Sequence, residues 1–120
     1  MQIIQGIVMH LELSNEMILS QLGYTINTSS TKQVEDAIKN TIGFEKFAKH
    51  LISLNDNLKH MNAYIAMSNN TKYFKIKSEN VDNQALKDEF HEAVKKWSNK
   101  YNVSLETIPN KEVYYIIGIK

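Results

Sequence analysis

The 120-residue sequence contains no cysteine, no arginine and a single proline, Pro109. The lack of cysteine excludes a disulfide scaffold, a thiolate nucleophile and any zinc or iron–sulfur site that needs cysteine ligands. The lack of arginine removes the side chain that stacks on bases and grips phosphate with two parallel hydrogen bonds. The positive charge that neutralises phosphate would therefore have to come from the 14 lysines.

Long hydrophobic runs are also lacking, since no stretch approaches the roughly 18 apolar residues that a membrane span needs. The first ten residues are apolar, but they have no basic leading part and are soon interrupted by His10 and Glu12, which predicts a core element and not a signal peptide. With 42% hydrophobic residues and a net charge of +1, we predict one folded cytoplasmic domain over residues 1–120. Abundant lysine, asparagine and isoleucine without arginine is typical of coding in an AT-rich genome.

The first 23 residues predict a strand and a short helix. Residues 2–13 are predicted as a strand from their β-branched content, although they also fit helical spacing. A short helix is predicted over residues 15–22, with Ser14 as its cap and Gly23 just past its end.

A longer helical pattern follows, and it extends to about residue 55. It begins at a predicted capping box that runs from Ser30 to Gln33. Gly43 interrupts the pattern, and it either kinks one helix or splits the pattern into two.

The second half predicts a hairpin, a helix and a second hairpin. Strands over residues 63–67 and 72–77 flank an asparagine-containing turn, because asparagine tolerates the positive φ of tight turns. A helix with one apolar stripe is predicted over residues 83–101, with Asp82 as its cap. Two strands, 103–108 and 113–119, then close the chain.

These elements predict an α+β fold, a two-layer sandwich with two main helices on one face of an antiparallel sheet. The natural topology is the ferredoxin-like β-α-β-β-α-β arrangement, with an extra short helix and a C-terminal hairpin. This is an analogy of fold, and it implies no function.

The predicted strand over residues 72–77 has two chemically different faces. If Phe74 and Ile76 point at the helices, tyrosine and lysine side chains lie on the open face of the sheet. Aromatic rings with lysines on such a face resemble the way RNA-binding sheets stack bases and neutralise phosphates. The candidate nucleic-acid-binding residues are Tyr73, Lys75, Lys77, Tyr64 and Tyr114. The plain alternative is a solvated face whose lysines pair with carboxylates, and the low net charge favours it.

One pair of residues has metal-binding chemistry. His10 and Glu12 lie two positions apart, which places an imidazole and a carboxylate on the same face of the predicted first strand. A third ligand would have to come from His50, His60 or His91, none of which stands at a metal-ligand spacing. No nucleophile motif and no phosphate-binding glycine loop occurs, so the sequence predicts no cofactor.

The C-terminal strand, residues 113–119, is β-prone, uncharged and free of proline. Such a strand is either central in the sheet or an edge that pairs with another chain. The candidate interface residues are Val113, Tyr115, Ile117 and Ile119.

By elimination, the sequence predicts a small non-enzymatic protein-binding module. An inhibitor, an immunity protein or an accessory protein of a mobile element would fit, acting on a protein partner or as a homodimer. The first alternative is a protein that binds single-stranded nucleic acid through the lysine- and tyrosine-bearing sheet face. The second is a metal-dependent enzyme that uses His10 and Glu12.

Overall fold

A computed structural model describes residues 13–80 and 82–120, so all but the last residue of the predicted strand 2–13 lies outside the described residues. The helices are α1 Asn15–Gln21, α2 Thr28–Asn40, α3 Ala48–Leu58 and α4 Gln84–Tyr101, with short 3-10 turns at Phe44–Lys46 and Lys59–Met61. The strands are β1 Ala63–Met67, β2 Phe74–Ser78, β3 Val103–Thr107 and β4 Val113–Ile119.

Side-chain caps determine where the first two helices begin. The Ser14 hydroxyl accepts a hydrogen bond from the Met17 amide at 3.1 Å, which confirms the predicted cap of α1. The predicted capping box at Ser30 was wrong by three residues, because Asn27 is the cap of α2. The Asn27 side chain accepts from the Ser30 amide at 2.8 Å, and the Ser30 hydroxyl accepts from the Asn27 amide at 3.0 Å. Gln33 instead donates to the Ser68 carbonyl.

Gly43 splits the long helical pattern into α2 and α3. Its φ of 69° is left-handed, a conformation that glycine adopts without steric cost and that ends a helix. A 3-10 turn separates the two helices, so residues 13–80 and 82–120 contain three longer helices where two were predicted. The helix over residues 83–101 is confirmed, but Asn83 and not Asp82 caps it, through a 3.0 Å bond from the Leu86 amide.

The sheet consists of two antiparallel hairpins side by side, with the strand order β1-β2-β4-β3. The hairpins meet where β2 pairs with β4, and α4 connects them along the chain. The α+β class, the antiparallel sheet and the C-terminal hairpin are thereby confirmed. The ferredoxin-like topology stays a prediction, because its first strand lies outside the described residues.

The helices cover one face of the sheet. Alternate residues of β1, β2 and β4 are buried, and they join the apolar sides of the helices in one core. The largest fully buried side chains are Phe47, Phe74, Phe90, Ile18, Leu19, Leu51, Leu58, Ile65, Ile76, Ile116, Val34 and Val94. The opposite face of the sheet has no such cover within the described part of the chain, and its strand residues are partly exposed.

The two outer strands of this sheet differ in their pairing. On β1, the outward-pointing amide of Ile65 donates to Asn55 Oδ1, and that of Met67 donates to the Tyr24 hydroxyl, both at 2.8 Å. Side chains therefore satisfy groups that would otherwise offer pairing sites to another strand. β3 pairs with β4 through an irregular ladder, because Ile117 of β4 is an extra residue with no partner on β3.

None of the helices in the described ranges, 13–80 and 82–120, combines the length and the apolar character that crossing a membrane requires.

Candidate binding face

The sheet face that points away from the helices carries the candidate site, and we call it the open face. Because side chains alternate along a strand, the residues between the buried ones share this face. The open face comprises Tyr64, Ala66, Tyr73, Lys75, Lys77, Glu106, Val113, Tyr115 and Ile117.

The structure brings four of the five predicted nucleic-acid-binding residues together on the open face, namely Tyr64, Tyr73, Lys75 and Lys77. The placement of Tyr114 on this face was wrong. Tyr114 pairs with the buried Ile76 across the two central strands, so its ring points into the core and is 5% exposed. Its neighbour in the sequence, Tyr115, lies on the open face instead.

Tyr73 and Tyr115 form an aromatic pair at the centre of this face. Their ring centroids are 6.4 Å apart and the ring planes are inclined by 37°. Tyr115 belongs to β4, and Tyr73 immediately precedes β2, so the pair bridges the two central strands. Lys75 stands directly opposite Tyr115 in the register, and Glu106 flanks Tyr115 on its other side.

A shallow groove of about 480 Å³ runs along β2. Within the described residues, Lys75 and Lys111 in this groove form no ion pair, whereas Lys77 is paired. The lining residues are Ser68, Asn69, Asn70, Lys75, Lys77, Ser78, Glu79, Asn80, Ile108, Lys111, Glu112, Val113 and Tyr115. The groove therefore offers two lysines without a direct ion pair beside an aromatic ring, and its lining also includes two glutamates.

One end of the open face holds a hydrogen-bonded cluster of Tyr64, Glu79 and Lys77. The Tyr64 hydroxyl donates to Glu79 Oε1 at 2.6 Å, and Lys77 Nζ lies 3.6 Å from the same oxygen. The bond from Tyr64, followed by the charge of Lys77, holds the pKa of Glu79 below its usual range. The bond to Glu79, together with partial burial, raises the pKa of Tyr64 to about 12.

This raised pKa predicts a loss of stability in alkali. The Tyr64 phenol ionises near pH 10 in the unfolded chain but only near pH 12 in the folded one. Its contribution to the free energy of unfolding is therefore complete below about pH 10 and declines as the pH rises toward 12. Urea unfolding at about pH 9 and pH 11 should show a larger loss for the native chain than for Tyr64→Phe. Equal losses in the two proteins would contradict the assignment.

A second polar cluster lies on the helix side of the sheet, and the sequence reasoning missed it. His91 of α4 contacts the Tyr114 hydroxyl through Nδ1 and the Glu112 carboxylate through Nε2. If Nε2 donates to the carboxylate, Nδ1 of the neutral imidazole can accept a hydrogen bond from the Tyr114 hydroxyl. Burial, and next the charge of Glu112, raise the pKa of Tyr114. Both ring nitrogens are engaged, so the cluster joins α4 to β4.

The predicted metal pair, His10 and Glu12, lies outside the described residues. The three histidines considered as a further ligand have other partners: His50 stacks on Tyr101, His60 pairs with Glu89, and His91 bonds Glu112. In the described part of the chain, no three histidine or acidic side chains are grouped as metal ligands would be.

The C-terminal strand, β4, occupies the central position of the two that the sequence allowed. Its neighbours are β2 and β3, and Ile42 pairs alongside its end at Gly118. Among the candidate interface residues, Val113, Tyr115 and Ile117 are half-buried on the open face, whereas Ile119 packs against the core. A partner would therefore meet side chains of β4 and not an unpaired backbone edge.

Comparison with protein-family models, with curated proteins and with solved structures finds no match to this chain.

Proposed function

We propose that this protein is a small non-enzymatic binding module whose open face binds single-stranded nucleic acid. The observation that carries the proposal is the Tyr73–Tyr115 pair, which bridges the two central strands beside Lys75. A four-stranded sheet with helices behind it and aromatic rings on its central strands is a known platform for stacked bases.

The chemistry of the face favours a single strand over a duplex. Tyrosine rings on a flat sheet stack only on bases that are already unpaired and splayed out. Lys75 and Lys111 supply point charges for the phosphates, and lysine contacts of this kind carry no base preference. With few cations and a net charge of +1, we expect binding that is weak, tolerant of sequence and strongly dependent on salt.

Tyr115→Ala is expected to weaken binding to a fluorescein-labelled oligothymidylate or oligouridylate of about 12 nucleotides. The expected loss is about 1–3 kcal/mol, or roughly 5- to 150-fold in Kd, since this is what one stacked base contributes. Fluorescence anisotropy at about 50 mM salt measures it. Lys75→Ala should in addition lower the slope of log Kd against log salt by about 0.7, the contribution of one phosphate contact.

The matched control is Tyr115→Phe, which keeps the ring and should bind nearly as the native chain does. An equal loss in Tyr115→Phe would show that stacking is not the cause. No anisotropy change for the native chain with either oligonucleotide would overturn the proposal.

A protein partner is the second candidate, and one observation favours it. Val113 and Ile117 stand on either side of Tyr115 along β4, so the centre of the open face is an apolar column. Apolar and tyrosine side chains with a charged rim are typical of protein interfaces. A native chain that binds neither oligonucleotide leaves this candidate as the better account of the same face.

A further inference from the structure

The donors at one end of the open face converge on a carboxylate oxygen of the chain itself. Glu79 Oε1 accepts from the Tyr64 hydroxyl at 2.6 Å and lies 3.6 Å from Lys77 Nζ. Lys75, the next lysine along the same face of β2, adds its positive charge to this environment. One hydroxyl and one ammonium group therefore contact a single anionic group, and the charge of a second lysine acts on it without contact.

We propose that Tyr64, Lys77 and Lys75 form a phosphate subsite, which Glu79 fills in the unliganded chain and a phosphodiester of the ligand takes over on binding. The inference rests on the proposed function, since it identifies a phosphate position within the same open face. It also makes Glu79 an internal competitor that limits affinity.

The donors suit a phosphodiester because its oxygens, like those of a carboxylate, are anionic acceptors. The Tyr64 hydroxyl is a donor across the physiological range, since an ordinary phenol ionises only near pH 10. Lysine supplies the point charge that many phosphate sites use.

Glu79 is placed so that its side chain can turn into water, and a phosphate oxygen would then replace it as the acceptor for Tyr64. Its side chain is 45% exposed, and the side chain of Lys77 is 36% exposed, so both remain in contact with water. The Glu79 amide donates to the Asn62 carbonyl at 3.0 Å, which fixes the backbone while the side chain turns away. Exposed ion pairs of this kind contribute little to stability.

The position of the subsite matches the stacking pair. Tyr64, Lys77 and Val113 form one row across three strands, and Ala66, Lys75 and Tyr115 form the row two residues along. The rows are about 7 Å apart, because each strand residue advances roughly 3.3 Å. A strand stacked on Tyr115 would thus pass its phosphate backbone close to Glu79.

Glu79→Gln is the decisive variant, and it is expected to bind the labelled oligothymidylate about two- to fivefold more tightly than the native chain. That range is the effect of freeing one exposed ion pair. Glu92→Gln removes the same charge from an exposed position of α4 and should change Kd by less than about 1.5-fold at the same salt. Equal gains in the two variants would show a general charge effect and overturn the subsite.

Further variants in the Glu79→Gln background test the donors. Tyr64→Phe and Lys77→Ala should each remove the gain, whereas a gain that survives both substitutions contradicts the assignment. Inorganic phosphate is the second probe, and in Glu79→Gln it should shift the NMR signals of Tyr64 and Lys77 while it leaves those of Glu92→Gln in place.

These outcomes separate the subsite from the wider proposal. If Tyr115→Ala weakens binding but Glu79→Gln behaves as the native chain, the subsite is wrong and the function stands. If neither oligonucleotide binds but inorganic phosphate still shifts Tyr64 and Lys77, the subsite stands for free phosphate and the nucleic-acid function is wrong. If neither the oligonucleotides nor inorganic phosphate bind, both the subsite and the nucleic-acid function are wrong.

Discussion

Replacing Phe47 with alanine is expected to lower the free energy of unfolding by about 3–5 kcal/mol, the usual cost of removing a buried aromatic ring. Phe47 is 1% exposed and lies just before α3. Its ring packs edge-to-face on Phe44 at 5.6 Å and on Trp97 at 6.0 Å, so it joins the segment after Gly43 to α4. The resulting cavity would separate elements that are about 50 residues apart in the sequence.

The matched control is Phe47→Leu, which keeps much of the volume and should cost about 1–2 kcal/mol. Urea unfolding followed by circular dichroism measures both variants. Since a small domain has about 5–15 kcal/mol in total, this loss is a large share of the stability and should lower the urea midpoint clearly. A loss in Phe47→Ala no larger than that in Phe47→Leu would contradict the expected cavity cost, since leucine keeps most of the buried volume.

Gly118→Ala is expected to lower the free energy of unfolding by about 2–4 kcal/mol, because backbone strain and steric overlap act together. Gly118 has a φ of 147°, and a Cβ built on it would lie 2.7 Å from both the amide nitrogen and the carbonyl oxygen of Ile42. These are backbone atoms, and they are fixed because the Ile119 amide donates to the Ile42 carbonyl at 2.8 Å. The alanine methyl group would therefore push the segment between α2 and α3 away from β4.

Gly23→Ala separates the two causes of this loss. Gly23 also has a positive φ, 88°, but a Cβ there would meet no atom within 4 Å. Gly23→Ala is expected to lower the free energy of unfolding by about 1 kcal/mol, because only the strain of a positive φ acts there. Thermal denaturation of both variants gives the difference, and equal melting temperatures would contradict the close approach of Ile42 to β4.

The elements of the fold could be predicted from the sequence wherever the hydrophobic pattern is local and periodic. The helix α4 and the strand β4 each show one repeating pattern over their whole length, so their positions were correct to within a residue or two. The cap of α2 was misplaced because Asn27 and Ser30 both fit capping positions, and only the folded backbone decides between them.

The candidate site was only half predictable, because strand alternation relates neighbours without saying which side is inward. Tyr114 and Tyr115 must lie on opposite faces of β4, but the pairing of Ile76 with Tyr114 decides which one enters the core. The Tyr64–Glu79 bond and the His91–Glu112 contact join residues 15 and 21 positions apart, and no local spacing reports such contacts.

The side chains that bond the outer edge of β1 also determine how this part of the molecule unfolds locally. Since Asn55 belongs to α3 and its side chain holds the Ile65 amide, the strand cannot detach without breaking a bond to the helix. Asn55 also donates to the Gln21 carbonyl at the end of α1, so three elements share one buried amide group. Fraying of this edge is therefore cooperative, and β1, α3 and the end of α1 should open as one unit rather than strand by strand.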